Sequence, residues 1–172
     1  KLGGLIPIAA LVKDVEMDVL MDLVRWLKRQ VVNSGVTVKL KTEVTPELVE
    51  REKPDAVVLA TGGIVKIPNI PGIDKRNVMI LTKLDNLLYM VGPKLAAWGS
   101  KHIPFAMPIG KRVVILGGEH HACELGEFLA KRGRKVTIVN DGDVWAEGMT
   151  ADDKAFLWPW FKEKGVVLID GA

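Results

Sequence analysis

Gly110–Asp143, GKRVVILGGEHHACELGEFLAKRGRKVTIVNDGD, is the stretch whose reading decides the fold. Within it, Arg112–Leu116 is a short apolar run rich in β-branched residues and reads as a buried strand. Gly117-Gly118 follow at once. Ala122, Leu125, Phe128 and Leu129 then recur at helical spacing, and Gly133 suits the helix end. Lys135–Val139 is a second apolar run. Strand, glycine turn, helix and strand within about 30 residues make a βαβ unit.

Such a turn has a physical logic. Its first glycine permits the tight bend, its second lets backbone approach a pyrophosphate, and its third small residue lets helix and strand pack closely. The helix N-terminus offers free N–H groups and the positive end of a dipole. Aligned to G-x-G-x-x-G/A, the chain reads Gly117-Gly118-Glu119-His120-His121-Ala122. The first glycine and the final small residue fit. Glu119 stands where the middle glycine belongs, and its carboxylate sits where phosphates need room and positive potential. Two readings stay open: a turn that binds a dinucleotide, and a Rossmann-type unit that keeps its fold without its ligand.

The end of the second strand of such a unit lies beside the adenosine ribose. A carboxylate there accepts from the 2′-hydroxyl, and an arginine there favours a 2′-phosphate. Here the strand ends in Asn140-Asp141-Gly142-Asp143, with no Lys or Arg between Asn140 and Ala151. That pattern predicts NAD(H) over NADP(H). The candidate nucleotide residues are therefore Gly117, Gly118, Glu119, His120, His121, Ala122, Asn140 and Asp141. His120 and His121 start the helix, where a histidine either hydrogen-bonds phosphate or fills polar surface. Cys123 lies in the first helical turn, where a thiol pKa can fall, although packing is its favoured role.

Working outward, Asp14–Asn33 is the longest helix candidate. Met17, Leu20, Val24, Leu27 and Val31 make one apolar stripe, and Gly35 suits its stop. Val36–Leu40 alternates as a short strand. Thr45 and Pro46 read as N-cap and first residue of a short helix. Asp55–Thr61, DAVVLAT, reads as a buried strand running into Gly62-Gly63. Pro68 and Pro71 mark a loop, Val78–Leu81 could be a strand and Lys83–Tyr89 a short helix, and Gly92–Ile109 is irregular. Thr150-Ala151-Asp152-Asp153 resembles a capping box opening a helix with Phe156, Leu157, Trp160 and Phe161. Pro159 is expected to kink or break that helix near Trp158. Val166–Ile169 closes the chain as a strand. Strands alternating with helices predict an α/β class, a mostly parallel Rossmann-like sheet with helices on both faces.

Composition bounds the function. Among 172 residues, 48% are hydrophobic, which is ample for a core. The net charge of +3 is mild and no long basic run occurs, so nucleic acid is not suggested. No stretch is long and apolar enough to span a bilayer. The single cysteine, Cys123, excludes an internal disulfide and a cysteine-ligated iron–sulfur cluster within the chain, and points to a reducing, cytoplasmic setting. No acidic or thiol partner sits at metal-ligand spacing beside the histidine pair, so no metal site is expected. The basic cluster Lys131, Arg132, Arg134 and Lys135 reads as a solvated helix end. Trp145, Trp158 and Trp160 read as packing or domain-contact residues.

The order LGG, long helix, GVTVKL, DAVVLATGG, a proline loop with IPGI, GKRVVILGG and KVTIVN resembles the C-terminal half of multidomain old-yellow-enzyme relatives. That group includes 2,4-dienoyl-CoA reductase, 2-enoate reductase and trimethylamine dehydrogenase. The likeness covers nearly the whole chain, and ATGG at Ala60–Gly63 and GKRVVILGG at Gly110–Gly118 are its most specific parts. It implies a fragment of a flavoprotein with two dinucleotide-binding domains: a remnant of an FAD-type domain over residues 1–71 and an NAD(P)-type domain over residues 72–172. It adds Thr61, Gly62 and Gly63 to the cofactor-binding candidates. FAD is implied in the intact protein, with FMN and an iron–sulfur cluster in an N-terminal barrel that this stretch does not include. The chain begins with Lys1 and is expected to be a piece of something longer. The resemblance assigns no catalytic residue, because the cofactors do the chemistry.

Three functions follow as expectations. The chain is an electron-entry domain passing hydride from NADH to FAD, or a module holding ADP without redox chemistry, or a scaffold lobe. Its partners would be a nicotinamide or adenine nucleotide and the remaining domains of the parent chain. A cut within one Rossmann-like domain exposes apolar surface, so a homo-oligomer is expected.

Overall fold

The computed structural model describes residues 2–13, 17–63, 66–80 and 109–171. Helices α1 (Ile6–Lys13), α2 (Met17–Asn33) and α3 (Pro46–Glu52) come first. The compact half follows: β1 (Arg112–Leu116), α4 (His120–Lys131), β2 (Lys135–Val139), α5 (Ala151–Lys164) and β3 (Val167–Ile169). The strands are parallel, in the order β1-β2-β3, with Ile115 opposite Ile138 and Ile138 opposite Leu168. This is the Rossmann-like α/β arrangement expected from the alternating pattern.

Local chemistry sets the helix ends. Thr45 caps α3 by accepting from the Leu48 N–H at 3.3 Å, with Pro46 in the first turn. Thr150 caps α5 by accepting from the Asp153 N–H at 3.2 Å, the N-cap half of the capping box read from sequence, while the Asp153 carboxylate accepts from the Thr150 hydroxyl at 2.7 Å and not from the backbone N–H that a full box uses. Gly133, at φ 72°, ends α4: its N–H donates to the Ala130 carbonyl and the Arg134 N–H to that of Leu129. That pair of bonds is a Schellman ending, which needs the left-handed conformation glycine adopts freely. Arg132 donates to the Phe128 carbonyl at 3.1 Å and stacks on the Phe128 ring, so this part of the basic cluster complements the helix end as expected but is half-buried and not solvated.

One core joins the sheet to α4 and α5. Ile115, Val136 and Ile138 project from one face of the sheet onto Cys123, Phe128 and Leu129 of α4 and Leu157 and Phe161 of α5. Trp145, Trp158 and Trp160 pack around it, the role expected of them. The approach of α4 to β2 depends on a missing side chain. A Cβ on Gly126 would stand 2.8 Å from Ile138 Cδ1 and 3.5 Å from Phe161 Cζ. The opposite sheet face carries Val114 (63% exposed) and Leu116 (58%), so β1 is buried on one side and not on both. No described helix covers that face.

Several expectations are corrected. Pro159 does not end α5, which runs on to Lys164. Pro159 itself is exposed, while Leu157 and Phe161 on either side are buried, and that packing offsets the lost backbone hydrogen bond. Asp55–Thr61 is neither a strand nor buried, with Val58 86% and Leu59 85% exposed. Val36–Leu40 and Val78–Ile80 are likewise not strands. A parallel strand needs a neighbour to take its N–H and C=O groups, and no described strand lies beside these runs. Helix α1 was not expected, and it packs against both α2 and α4 with Ala10 fully buried. Of the α2 stripe, Val24 alone is fully buried, and Leu27 is 41% exposed. Asp14, Glu16 and Lys83–Tyr89, with Leu81 and most of Gly92–Ile109, lie outside the described residues.

The Gly126 contact generates a test. Gly126→Ala should lower stability by about 1–2 kcal/mol, since the overpacking outweighs the better helix propensity of alanine. Adding Ile138→Val, which removes the obstructing Cδ1, should recover part of that loss. Thermal and urea unfolding of both variants would read the difference.

Candidate nucleotide-binding turn

The site is built at the carboxyl ends of three parallel strands, where open α/β sheets bind ligands. Gly117 takes φ 109°, a conformation a side chain would strain, and its N–H donates to the Val139 carbonyl at 2.8 Å. This bond ties the turn to the end of β2. Gly118 is buried, and a Cβ there would stand 2.5 Å from Asn140 Cγ and 2.8 Å from Asn140 Cβ. The second glycine is thus required by Asn140, whatever it does for a ligand.

Asn140 is the buried polar residue of the core region, 6% exposed. Its side-chain amide donates to the Gly142 carbonyl at 3.0 Å and the Val144 carbonyl at 2.9 Å, and its backbone N–H donates to the Ile169 carbonyl at 2.9 Å. Its donors are committed to holding the loop after β2. Asp141, next in the chain, is exposed and is the carboxylate at the end of that strand.

Glu119 is the N-cap of α4, exposed and extended (φ −70°, ψ 172°), and its side chain caps no N–H. His120 Nε2 lies 3.0 Å from Glu124 Oε1 one turn on, and the His120 and His121 rings are 5.5 Å apart. His121 is exposed and Ala122 packs against the core. The structure therefore gathers Gly117, Gly118, Glu119, His120, His121, Ala122, Asn140 and Asp141 around one turn. Thr61, Gly62 and Gly63 are not gathered there: they lie in exposed coil, with Gly62 at φ 78° and no hydrogen bond to the turn among the described residues.

Three features escaped the sequence reading. Gly126 is one, and a glycine in mid-helix was its signal, since it costs about 1 kcal/mol unless packing needs it. Asn140 as a loop anchor is the second. The third is the segment 142–149, which lies across the turn. Ala146, fully buried at φ 51°, donates its N–H to the Gly118 carbonyl at 2.6 Å. The Glu147 carbonyl accepts from the His120 N–H at 3.3 Å. The Trp145 indole N–H donates to the Asp170 carboxylate beyond β3.

Cys123 takes the packing role favoured for it. Its helical position suggests a lowered thiol pKa, but the side chain is fully buried, and burial pushes the pKa up from 9.0 to about 11. The Ala146 backbone and the Lys154 charge oppose that rise, and Glu124 adds to it. The thiol lies 3.6 Å from the Gly118 carbonyl and is a packing group.

A family model described as pyridine nucleotide-disulphide oxidoreductase matches residues 25–172. The chain belongs to that family. A stretch of 114 residues is 31% identical to an NADH oxidase of Thermoanaerobacter brockii, covering 66% of this chain and 15% of that protein. A cinnamate reductase of Clostridium sporogenes is 28% identical over 117 residues, 68% of this chain and 15% of the relative. The match thus spans about a seventh of these relatives' length. Among solved structures, 2-naphthoyl-CoA reductase with bound 2-naphthoyl-CoA superposes with a TM-score of 0.64 at 23% identity, over 88% of this chain and 20% of that one. A flavoprotein disulfide reductase of Escherichia coli gives 0.52 at 19% identity, over 98% and 39%. These two likenesses bear on the fold. No described helix is long and apolar enough to cross a membrane.

Two outcomes are expected. Gly118→Ala drives a methyl into the anchored Asn140 side chain and should cost roughly 2–4 kcal/mol in denaturant unfolding. For Cys123 the folded pKa is raised, so its contribution to stability is complete below pH 9.0 and declines as pH climbs toward about 11. The unfolded thiol gives up its proton first, and the loss is on the order of 2 kcal/mol. Between those pH values Cys123→Ala should show a shallower decline than wild type, and the wild-type thiol should react slowly with a disulfide reagent at pH 8.

Proposed function

We propose that the chain is the nucleotide-binding portion of a flavin-dependent NADH oxidoreductase of the multidomain old-yellow-enzyme-like group. Residues 1–71 belong to its FAD-type domain and residues 72–172 to its NAD(P)-type domain, and hydride passes from NADH to FAD in the intact protein. The observation that carries this reading is the Gly117-Gly118 turn feeding the N-terminus of α4 at the carboxyl ends of parallel strands. The names of the relatives, an NADH oxidase and a cinnamate reductase, support it.

The turn fits a nicotinamide nucleotide in its backbone and resists it in its charge. Gly117 supplies the bend, and the N–H groups of His121 and Ala122 open α4. Glu119 opposes the pyrophosphate, and Asp141 stands where it accepts from a ribose 2′-hydroxyl and repels a 2′-phosphate. NADH, when bound, supplies the hydride; the residues of this chain bind and orient it. For FAD, Thr61, Gly62 and Gly63 lie in exposed coil and form no cradle. The exposed apolar sheet face supports the homo-oligomer as part of the same proposal.

A second reading, a degenerate Rossmann module that holds ADP or no ligand and serves as scaffold, is favoured by one observation. The Glu147 carbonyl already occupies the His120 N–H.

Isothermal titration of the chain with NADH, NADPH and ADP separates the two. NADH should bind at least about tenfold tighter than NADPH, a difference of roughly 1.4 kcal/mol. Glu119→Gly should tighten NADH, and Asp141→Ala should erode the preference. Equal binding of NADPH, or an unchanged NADH affinity in Glu119→Gly, sinks the first reading.

A further inference from the structure

We infer that segment 142–149 is an autoinhibitory strap, which holds the first N–H of α4 and must be released for a nucleotide to seat its phosphates. The inference rests on the nucleotide reading of the turn and adds a regulatory device to it.

Three hydrogen bonds tie the strap to the turn, to α4 and to the residue after β3, and Ala146 is fully buried in the core with Trp145 and Met149 packed around it. The Ala146 N–H donates to the Gly118 carbonyl at 2.6 Å, the His120 N–H donates to the Glu147 carbonyl at 3.3 Å, and the Trp145 indole donates to Asp170. Two of them fall on the glycine turn and the start of α4, where a pyrophosphate would be held. A phosphate oxygen and the Glu147 carbonyl therefore compete for one N–H. The base of the strap is fixed, because the Asn140 side-chain amide holds the Gly142 and Val144 carbonyls. Movement is thus confined to Trp145–Met149. That segment holds Ala146 in a left-handed conformation, φ 51°, whose strain works against the core burial of its methyl and lowers the cost of release. Asp170 is exposed and latches the far side through Trp145. A site competent in only a fraction of molecules binds more weakly by that fraction. Weakening the latch should therefore raise apparent affinity without any new contact to the ligand.

The test combines calorimetry with hydrogen exchange on the chain, using ADP and NADH as probes. Asp170→Ala removes the acceptor for Trp145 and should tighten ADP by roughly three- to tenfold. Asp170→Asn removes the charge and keeps an oxygen acceptor, so it should bind like wild type. Saturating ADP should speed amide exchange over Trp145–Met149 while α4 becomes more protected. If ADP binds while exchange of the strap is unchanged or slower, the strap is not a gate and the nucleotide reading survives. Equal tightening by Ala and Asn attributes the effect to charge and also overturns the strap. If neither wild type nor Asp170→Ala binds ADP or NADH, the nucleotide reading fails and the gate fails with it.

Discussion

Helix α4 lies as close to β2 as it does because no Cβ stands at Gly118 or Gly126. At the first position a methyl would enter the Asn140 side chain, and at the second it would meet Ile138. Core and turn both depend on these absences. The Gly126 approach lets Ile138 reach full burial beneath α4 and α5. The Gly118 approach lets Asn140 sit under the turn, where its amide organises the loop after β2. A change that pushed α4 outward would loosen the packing and displace the N–H groups at its start together.

The compact half was legible because each signal there is local. Arg112–Leu116 and Lys135–Val139 are apolar and β-branched, the glycines punctuate them, and Thr150 and Asp153 sit at capping spacing. The first half was legible only where the same held: Thr45 and Pro46 start α3, and Gly35, at φ 71°, follows α2. Asp55–Thr61 failed because a parallel strand is a relation between two segments. Its residues have the composition of a buried strand, yet Val58 and Leu59 remain exposed with no described neighbour. Pro159 failed for the opposite reason, since tertiary burial of Leu157 and Phe161 overrode a local signal.

The candidate site divides along the same line. That Gly117, Gly118 and Glu119 form a turn before α4 follows from their order in the chain. That Asn140 is spent on two carbonyls is a loop geometry of two and four residues with no sequence pattern of its own, and that segment 142–149 returns to the turn follows from contacts over more than 20 residues, such as that between Gly118 and Ala146. No periodicity encodes them. The Cys123 thiol shows the same limit. Its place in the first turn of α4 argues for a lowered pKa, and the side chains packed over it argue more strongly for a raised one.

Glu119 and the strap are two answers to one electrostatic situation. The start of a helix presents unpaired N–H groups and a partial positive charge, and something must satisfy them. In a turn filled by phosphate, the ligand does. Here the Glu119 side chain caps nothing, although the dipole favours a carboxylate nearby, and one N–H is met instead by the Glu147 carbonyl. A neutral carbonyl satisfies a donor without neutralising the dipole, so the positive end of α4 keeps its attraction for an anion. A ligand phosphate carries more charge than a carbonyl and forms the stronger hydrogen bond. The exchange of carbonyl for phosphate is therefore favourable at His120 and opposed at Glu119, and the sign of the sum decides whether this turn holds a nucleotide.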